Sequence, residues 1–358
     1  MKTIHVELGK ESYDIQIENG LLDRLGAAVR TITGAQRIAV ITDDTVDALY
    51  GDRMEKSLEK AGLVCRRIAI PAGEQSKNLT VLSDVYDQMS AFGMTRSDAV
   101  VTFGGGVPGD LGGFAAATYL RGIPFIQVPT TILAQVDSSV GGKVAVDLPS
   151  GKNLVGNFYQ PLAVFIDPEL LHSLPMRFQH DGLAEAIKYG CIRDAELFSL
   201  FERMRGDADI PAHIEQIIYR CCSIKAVVVA HDEKDTGERM ILNFGHTLGH
   251  AIEKLYGYGT YTHGEAVAAG MVMLTRQTEV LGLTEAGTAE RISNVLQKFS
   301  LPVRIKASTE ALLPQIGHDK KKRGNSITLI ILDRLGECRL LPLASADLAQ
   351  YVRGGDSQ

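Results

Sequence analysis

The strongest constraint on this chain is an alternation, in its first half, of short apolar runs with amphipathic helical stretches. Arg37–Thr42 (RIAVIT) is an apolar run stopped by Asp43 and Asp44. A helical stretch near Ala48–Ala61 follows, and then a second run, Val64–Ile70. Ala99–Phe103, Ile123–Val128 and Ala163–Ile166 continue the series. Strands that alternate with helices build βαβ units and a parallel sheet. Ligands enter such sheets at the carboxyl ends of strands, so chemistry is expected in the residues that follow each run.

Beyond Leu174–Pro175 the pattern changes. Gly182–Arg193, Ile214–His231, Gly245–Leu255, Glu265–Leu281 and Ala286–Phe299 carry apolar residues at helical spacing, and Ser326–Asp333 is the one late strand. The reading is an α/β N-terminal domain with a Rossmann-like parallel sheet, residues 1–175, followed by a mostly α-helical C-terminal domain, residues 176–358. The chain's 358 residues suit two domains.

Composition removes several function classes. With 45% hydrophobic and 22% charged residues, the chain is not globally disordered. A net charge of −6, no tryptophan and 6% aromatics leave neither an electrostatic footprint nor a stacking platform for nucleic acid. The five cysteines include the adjacent Cys221 and Cys222 and form no C-x-x-C, which fits a reducing compartment. The N-terminal MKTIHVELGK has no apolar signal region, and no apolar run approaches the ~18 residues of a membrane span. A cytoplasmic protein without a membrane partner is expected.

After the Ala99–Phe103 run comes FGGGVPGD, Phe103–Asp110. Gly104, Gly106 and Gly109 satisfy a G-x-G-x-x-G pattern between a strand and a helix, where bare backbone N–H groups can approach phosphate oxygens. A tight turn is the competing reading. No acidic residue ends a strand about 20 residues further on, as an ordinary Rossmann unit would require; Pro129–Thr131 stands there, and Asp43 is the candidate acid for a ribose.

Three of nine histidines, His246, His250 and His263, fall within 18 residues. His246 and His250 are four apart in NFGHTLGHAIE, so a helix would put both imidazoles on one face, suited to a single divalent metal. His263, in THGEAV, could be the third ligand. Alternatively His250 is a buried hydrogen-bonding residue and His263 a helix cap. Glu185 and Lys188 share a face of GLAEAIKYG among apolar neighbours, which points to a buried and employed pair.

Together these motifs resemble the 3-dehydroquinate synthase family. The matching blocks are PAGEQSK (71–77), FGGGVPGDLGGFAAATYLRGIPFIQVPTTILAQVDSSVGGK (103–143), GKNLVG (151–156), GLAEAIKYG (182–190), ERMILNFGHTLGHAIE (238–253), HGEAVAAGM (263–271) and DKK (319–321). The resemblance implies NAD in the first domain and a zinc or cobalt ion. It implies Glu185, His246 and His263 as metal ligands, with His250 as an active-site base instead of a ligand. It carries over Asp43, Glu74, Lys77, Gly105, Gly106, Asp110, Thr130 and Thr131 as NAD contacts, with Lys143 and Lys152 at the cofactor. Asp137, Lys143, Asn153, Lys188, Lys225, Arg239, Asn243 and His250 become substrate contacts, joined by a lysine of the DKK block, taken as Lys321. Arg121 matches a residue that reaches a partner subunit's substrate phosphate, so a homodimer is expected. Two departures stand out: Asp235, where the family usually has Glu, and Asp147, where an Asn is frequent and for which no consequence is expected.

The implied substrate is 3-deoxy-D-arabino-heptulosonate 7-phosphate, a phosphorylated sugar acid. A −6 chain must concentrate cations to hold it, and Lys143, Lys188, Lys225, Arg239 and Lys321 supply them; Arg239 suits bidentate carboxylate recognition. The implied reaction oxidises a ring hydroxyl, eliminates phosphate, reduces the ketone again and closes a carbocycle, so NAD is catalytic and the enzyme is a carbon–oxygen lyase. Two rival readings share the glycine loop and the histidines. A polyol dehydrogenase has no use for so many cations, and a related cyclase acting on a substrate without a carboxylate has none for Arg239 with Asn243.

Overall fold

The computed structural model describes residues 1–257, 259–317 and 326–352. The chain falls into two compact units. The first is Met1–Leu174 with Lys225–Lys234, and the second is Pro175–Ile224 with the chain from Asp235 onward. The segment Lys225–Lys234, expected in the helical domain, thus groups with the α/β unit.

The first unit runs β1 (Lys2–Val6), β2 (Tyr13–Ile17), α1 (Leu25–Ile32), β3 (Arg37–Asp43), a helical turn α2 (Asp44–Val46), α3 (Asp52–Lys60), β4 (Val64–Ile70) and α4 (Leu79–Ala91). It continues through β5 (Ala99–Gly104), α5 (Gly106–Thr118), β6 (Phe125–Pro129), β7 (Lys143–Leu148), β8 (Gly151–Phe158) and β9 (Ala163–Ile166). Seven strands form one sheet in the order β1-β2-β9-β6-β5-β3-β4, parallel except for β1 against β2. Side chains alternate across a strand, and β3 shows the consequence. Ile38 and Val40 pack with Val29, Met54 and Leu58 on one face, while Ala39 and Ile41 pack with Leu82, Val85 and Leu111 on the other. Burial on both faces is why RIAVIT reads as an unbroken apolar run.

The chain steps outward from β3 to β4 and then returns to the other side of β3 as β5, so the strand order reverses between β3 and β5. Thr42 pairs with Phe103 there, which brings Asp43 and Gly104 side by side at the carboxyl ends. That is the switch-point position at which open α/β sheets take ligands. The sequence reading had the central strands but not the hairpin β7–β8 or the pair β1–β2. β8 contains no fully buried residue, so it has no hydrophobic pattern to read.

The second unit contains α6 (Met176–Arg193), α7 (Ala195–Arg203), the first part of α8 (Ile210–His231), α9 (His246–Tyr256), α10 (His263–Val280), α11 (Thr288–Lys298) and α12 (Thr309–Gly317). An antiparallel hairpin follows, β10 (Ser326–Arg334) with β11 (Glu337–Ala344). Glycines let α6, α9 and α10 touch backbone to backbone. A Cβ at Gly270 would lie 2.3 Å from the Gly245 carbonyl oxygen, one at Gly249 3.1 Å from the Val267 Cα, and one at Gly264 2.1 Å from the Asp181 carbonyl oxygen. His246, His263 and Glu185 stand beside these crossings.

Among the described residues no helix is long and apolar enough to cross a membrane.

Candidate active site

In the second unit three helices each present to a common point one side chain that could bind a metal. Glu185 lies mid-way along α6, a stretch buried without interruption from Asp181 to Ile192, and is itself fully buried. Its Oε1 is 3.5 Å from His246 Nε2 at the start of α9 and 3.7 Å from His263 Nε2 at the start of α10. Ligand atoms ~2.0–2.2 Å from a tetrahedral ion are separated by about 3.4 Å, so this spacing fits a single zinc-like cation. Burial, followed by the positive charge of Lys188, holds His246 well below the usual imidazole range, which leaves it neutral as a ligand must be. Burial works against a charge on His263 as well, but Glu253 and Glu185 outweigh it and raise its pKa to about 9.

His246 and His250 do lie one turn apart, with ring centroids separated by 5.5 Å. Yet His250 is exposed, and its own metal-competent neighbours are Glu253 and His263, not Glu185. The direct pairing of His246 with His250 by helical spacing therefore gives way to the trio with Glu185. Lys188, 1% exposed, makes an ion pair with Glu185 inside α6. Arg239 is buried and Asn243 half-buried in the short 3₁₀ segment Glu238–Asn243 that leads into α9. Lys321 lies outside the described residues.

In the first unit, the residues carried over for a cofactor gather around the switch point. Gly105 sits at the N-cap of α5 with no side chain bonded there, so the first N–H groups of a 13-residue helix face outward. A Cβ at Gly104 would meet Pro108 Cγ at 2.6 Å and Asp43 Oδ2 at 3.3 Å, so the loop is held flat and Asp43 stands directly against it. Asp43 accepts from the Val46 N–H at 2.9 Å, and burial raises its pKa. Thr130 bonds through its N–H to the Gly104 carbonyl at 2.9 Å, and the Thr131 hydroxyl accepts from the Ala134 N–H at 3.1 Å.

A second layer is ionic. Lys77 Nζ is 2.5 Å from Asp110 Oδ2 on α5 and 4.0 Å from Glu74, which in turn is 3.8 Å from Lys152. Burial disfavours the Lys77 ammonium, but the Asp110 and Glu74 carboxylates more than offset it and raise its pKa. Lys225, at the point where α8 passes into the first unit, pairs with the Asp137 carboxylate and also donates to the Asp137 carbonyl at 2.7 Å. Asn153 is exposed in β8, in a left-handed conformation (φ +56°), and Lys143 is exposed at the start of β7. Arg121 is not with this group. It is exposed on the turn beyond the far end of α5, a helix ~20 Å long at 1.5 Å per residue.

Glu253 and Asp181 are not among the candidates legible in the sequence, and Asp147 was expected to have no consequence. Glu253 is buried and faces His263 Nδ1 at 3.4 Å. Asp181 accepts from the Gly264 N–H at 2.6 Å and so fixes the start of α10. Asp147 accepts from the Asn153 N–H at 2.7 Å, while its own N–H donates to the Lys77 carbonyl at 2.7 Å. Asp147 thus links the backbones of Asn153 and Lys77. The only signal for Glu253 was its place at the seventh position after His246, on the same helical face.

Fold and site together mark a class of synthases. The structure of 2-deoxy-scyllo-inosose synthase complexed with carbaglucose-6-phosphate, NAD+ and Co2+ superposes with a TM-score of 0.88 at 26% identity, covering 98% of this chain and 99% of that one. The 2-epi-5-epi-valiolone synthase of Streptomyces hygroscopicus subsp. jinggangensis, with NAD+ and Zn2+ bound, gives 0.85 at 25% identity over 96% and 97%. Within this class the sequence is specific. The 3-dehydroquinate synthase N-terminal model matches residues 67–181 and the C-terminal model residues 182–322. The 3-dehydroquinate synthase of Clostridium acetobutylicum is 51% identical over 99% of both chains. The chain belongs to the 3-dehydroquinate synthase family and is an enzyme of the lyase class.

Proposed function

We propose that the protein converts 3-deoxy-D-arabino-heptulosonate 7-phosphate to 3-dehydroquinate and phosphate, with NAD held by the first unit and a zinc or cobalt ion held by Glu185, His246 and His263. The carrying observation is the trio itself: one buried carboxylate and two imidazoles spaced for a tetrahedral cation, one of the imidazoles kept neutral. Three protein ligands leave a position open for substrate, as a catalytic centre requires. When bound, NAD supplies a reversible hydride acceptor and the ion supplies polarisation of the oxygen at the carbon being oxidised.

The remaining work belongs to the chain's own residues. Gly105, Gly106, Thr130 and Thr131 receive the dinucleotide's pyrophosphate at the α5 N-terminus, and Asp43 accepts from a ribose hydroxyl. Glu74, Lys77, Asp110 and Lys152 form the ionic wall beside it. Arg239 and Asn243 take the substrate carboxylate; a buried guanidinium is a strong, geometrically selective partner for it. Lys143, Asn153, Lys188 and Lys225 hold hydroxyl and phosphate oxygens, with Asp137 orienting Lys225. His250, exposed and one turn from a metal ligand, moves the proton next to the new ketone. Lys321 adds a further cation. Arg121, turned away from its own unit's glycine loop, serves the phosphate of a second subunit in a homodimer. Five free thiols fit a cytoplasmic enzyme.

The test is phosphate release from the heptulosonate phosphate, with NAD absorbance followed in parallel. The expected result is release that needs both NAD and a divalent ion, yields 3-dehydroquinate and leaves no net NADH. Accumulation of NADH without phosphate release would return the protein to the dehydrogenases.

A further inference from the structure

The start of α10 is fixed on every side except one. Thr262 and Glu265 form a reciprocal capping box around its first turn. Arg177 grips Glu265 with a two-pronged pair at 2.8 Å, and Asp181 holds the Gly264 N–H. These contacts set the backbone of His263 but not the torsions of its ring. The ring has one nitrogen toward Glu185 (Nε2, 3.7 Å) and the other toward Glu253 (Nδ1, 3.4 Å). Glu253 is 5% exposed, seven residues along α9 from His246, so one helix carries both a proposed ligand and the group behind another ligand.

We infer that Glu253 is a positioning residue for the metal centre: its carboxylate accepts the Nδ1–H of His263, fixing the ring's tautomer and angle so that Nε2 is the atom offered to the ion. A carboxylate behind a ligating imidazole sets ring orientation and raises ligand basicity, and its loss commonly costs ~10–100-fold in metal affinity. The competing arrangement uses His250, Glu253 and His263 as the ligands, with His263 binding through Nδ1. The exposure of His250 and the full burial of Glu185 favour the first. The inference rests on the proposed metal reading and adds to it the atom through which His263 binds.

Metal-stripped full-length protein, titrated with Zn2+ against a chromophoric chelator, gives the first test. If wild type takes up no ion, the metal reading itself fails. If wild type binds one ion, Glu253→Gln is expected to bind it ~10-fold more weakly and Glu253→Ala closer to ~100-fold. NAD affinity should stay unchanged. Wild-type affinity in both variants overturns the inference. Because a directly ligating Glu253 would also weaken binding when replaced, 15N-histidine spectra of zinc-loaded wild type decide between the two arrangements, and they do so without the variants, with His263 assigned through His263→Gln. Zinc on Nε2 with a proton on Nδ1 supports the inference, and zinc on Nδ1 overturns it.

Discussion

The glycine loop of the first unit and the histidine trio of the second are built from different materials. Around Gly104–Gly106 the surface offered to a ligand is largely main chain: an uncapped helix N-terminus, held flat against Pro108 and Asp43 at the point where the strand order reverses. At Glu185, His246 and His263 it is side chain alone, on three helices pressed together through glycines. A diphosphate is long, anionic and satisfied by N–H groups. A cation needs fixed lone pairs within a sphere of ~2 Å. The first site is therefore vulnerable to added side chains and the second to removed ones.

Substitutions can break that contrast. The largest effect is expected from Glu185→Ala, which deletes the buried oxygen shared by both imidazoles. Phosphate release should fall by at least ~10³-fold, since polarisation by an ion contributes several kcal/mol, with NAD affinity kept. Parallel activity and NAD titrations check this, and joint loss of both would join the sites. Next comes Lys77→Met. It strands the half-buried Asp110 and should destabilise the fold by ~1–3 kcal/mol in denaturant unfolding. The double variant with Asp110→Asn should recover most of it. Gly106→Val is smaller. A Cβ there finds only Ser138 Oγ at 3.5 Å, so the fold tolerates it. NAD affinity should drop about 10- to 100-fold as charge-assisted bonds are blocked, with metal uptake unchanged in calorimetry. The smallest is at Asp147. Asp147→Asn keeps an acceptor for the Asn153 N–H and should leave KM near wild type, whereas Asp147→Ala should raise substrate KM by roughly fivefold, about 1 kcal/mol.

The same contrast explains what could be read from residues alone. RIAVIT and AVVTF are buried on both faces, so they declare themselves as central strands, and the glycine loop follows the second of them. β8 is hidden because its side chains face outward, and with it the contact between Asp147 and Asn153. In the second unit, periodicity predicted the helices of His246 and His263 but paired His246 with its neighbour His250. Sequence spacing sees one helix at a time. The third candidate ligand, Glu185, comes from α6, some 60 residues earlier, and only the packing at Gly249, Gly264 and Gly270 brings it in. Glu253 stayed unread for the same reason, since its partner His263 lies on another helix.

The most direct test is a crystal structure of zinc- or cobalt-loaded protein with an anomalous difference map. The account predicts one peak at ~2.0–2.2 Å from a Glu185 oxygen, His246 Nε2 and His263 Nε2. A peak held by His246 with His250, by His250 with Glu253, or none at Glu185 would contradict it.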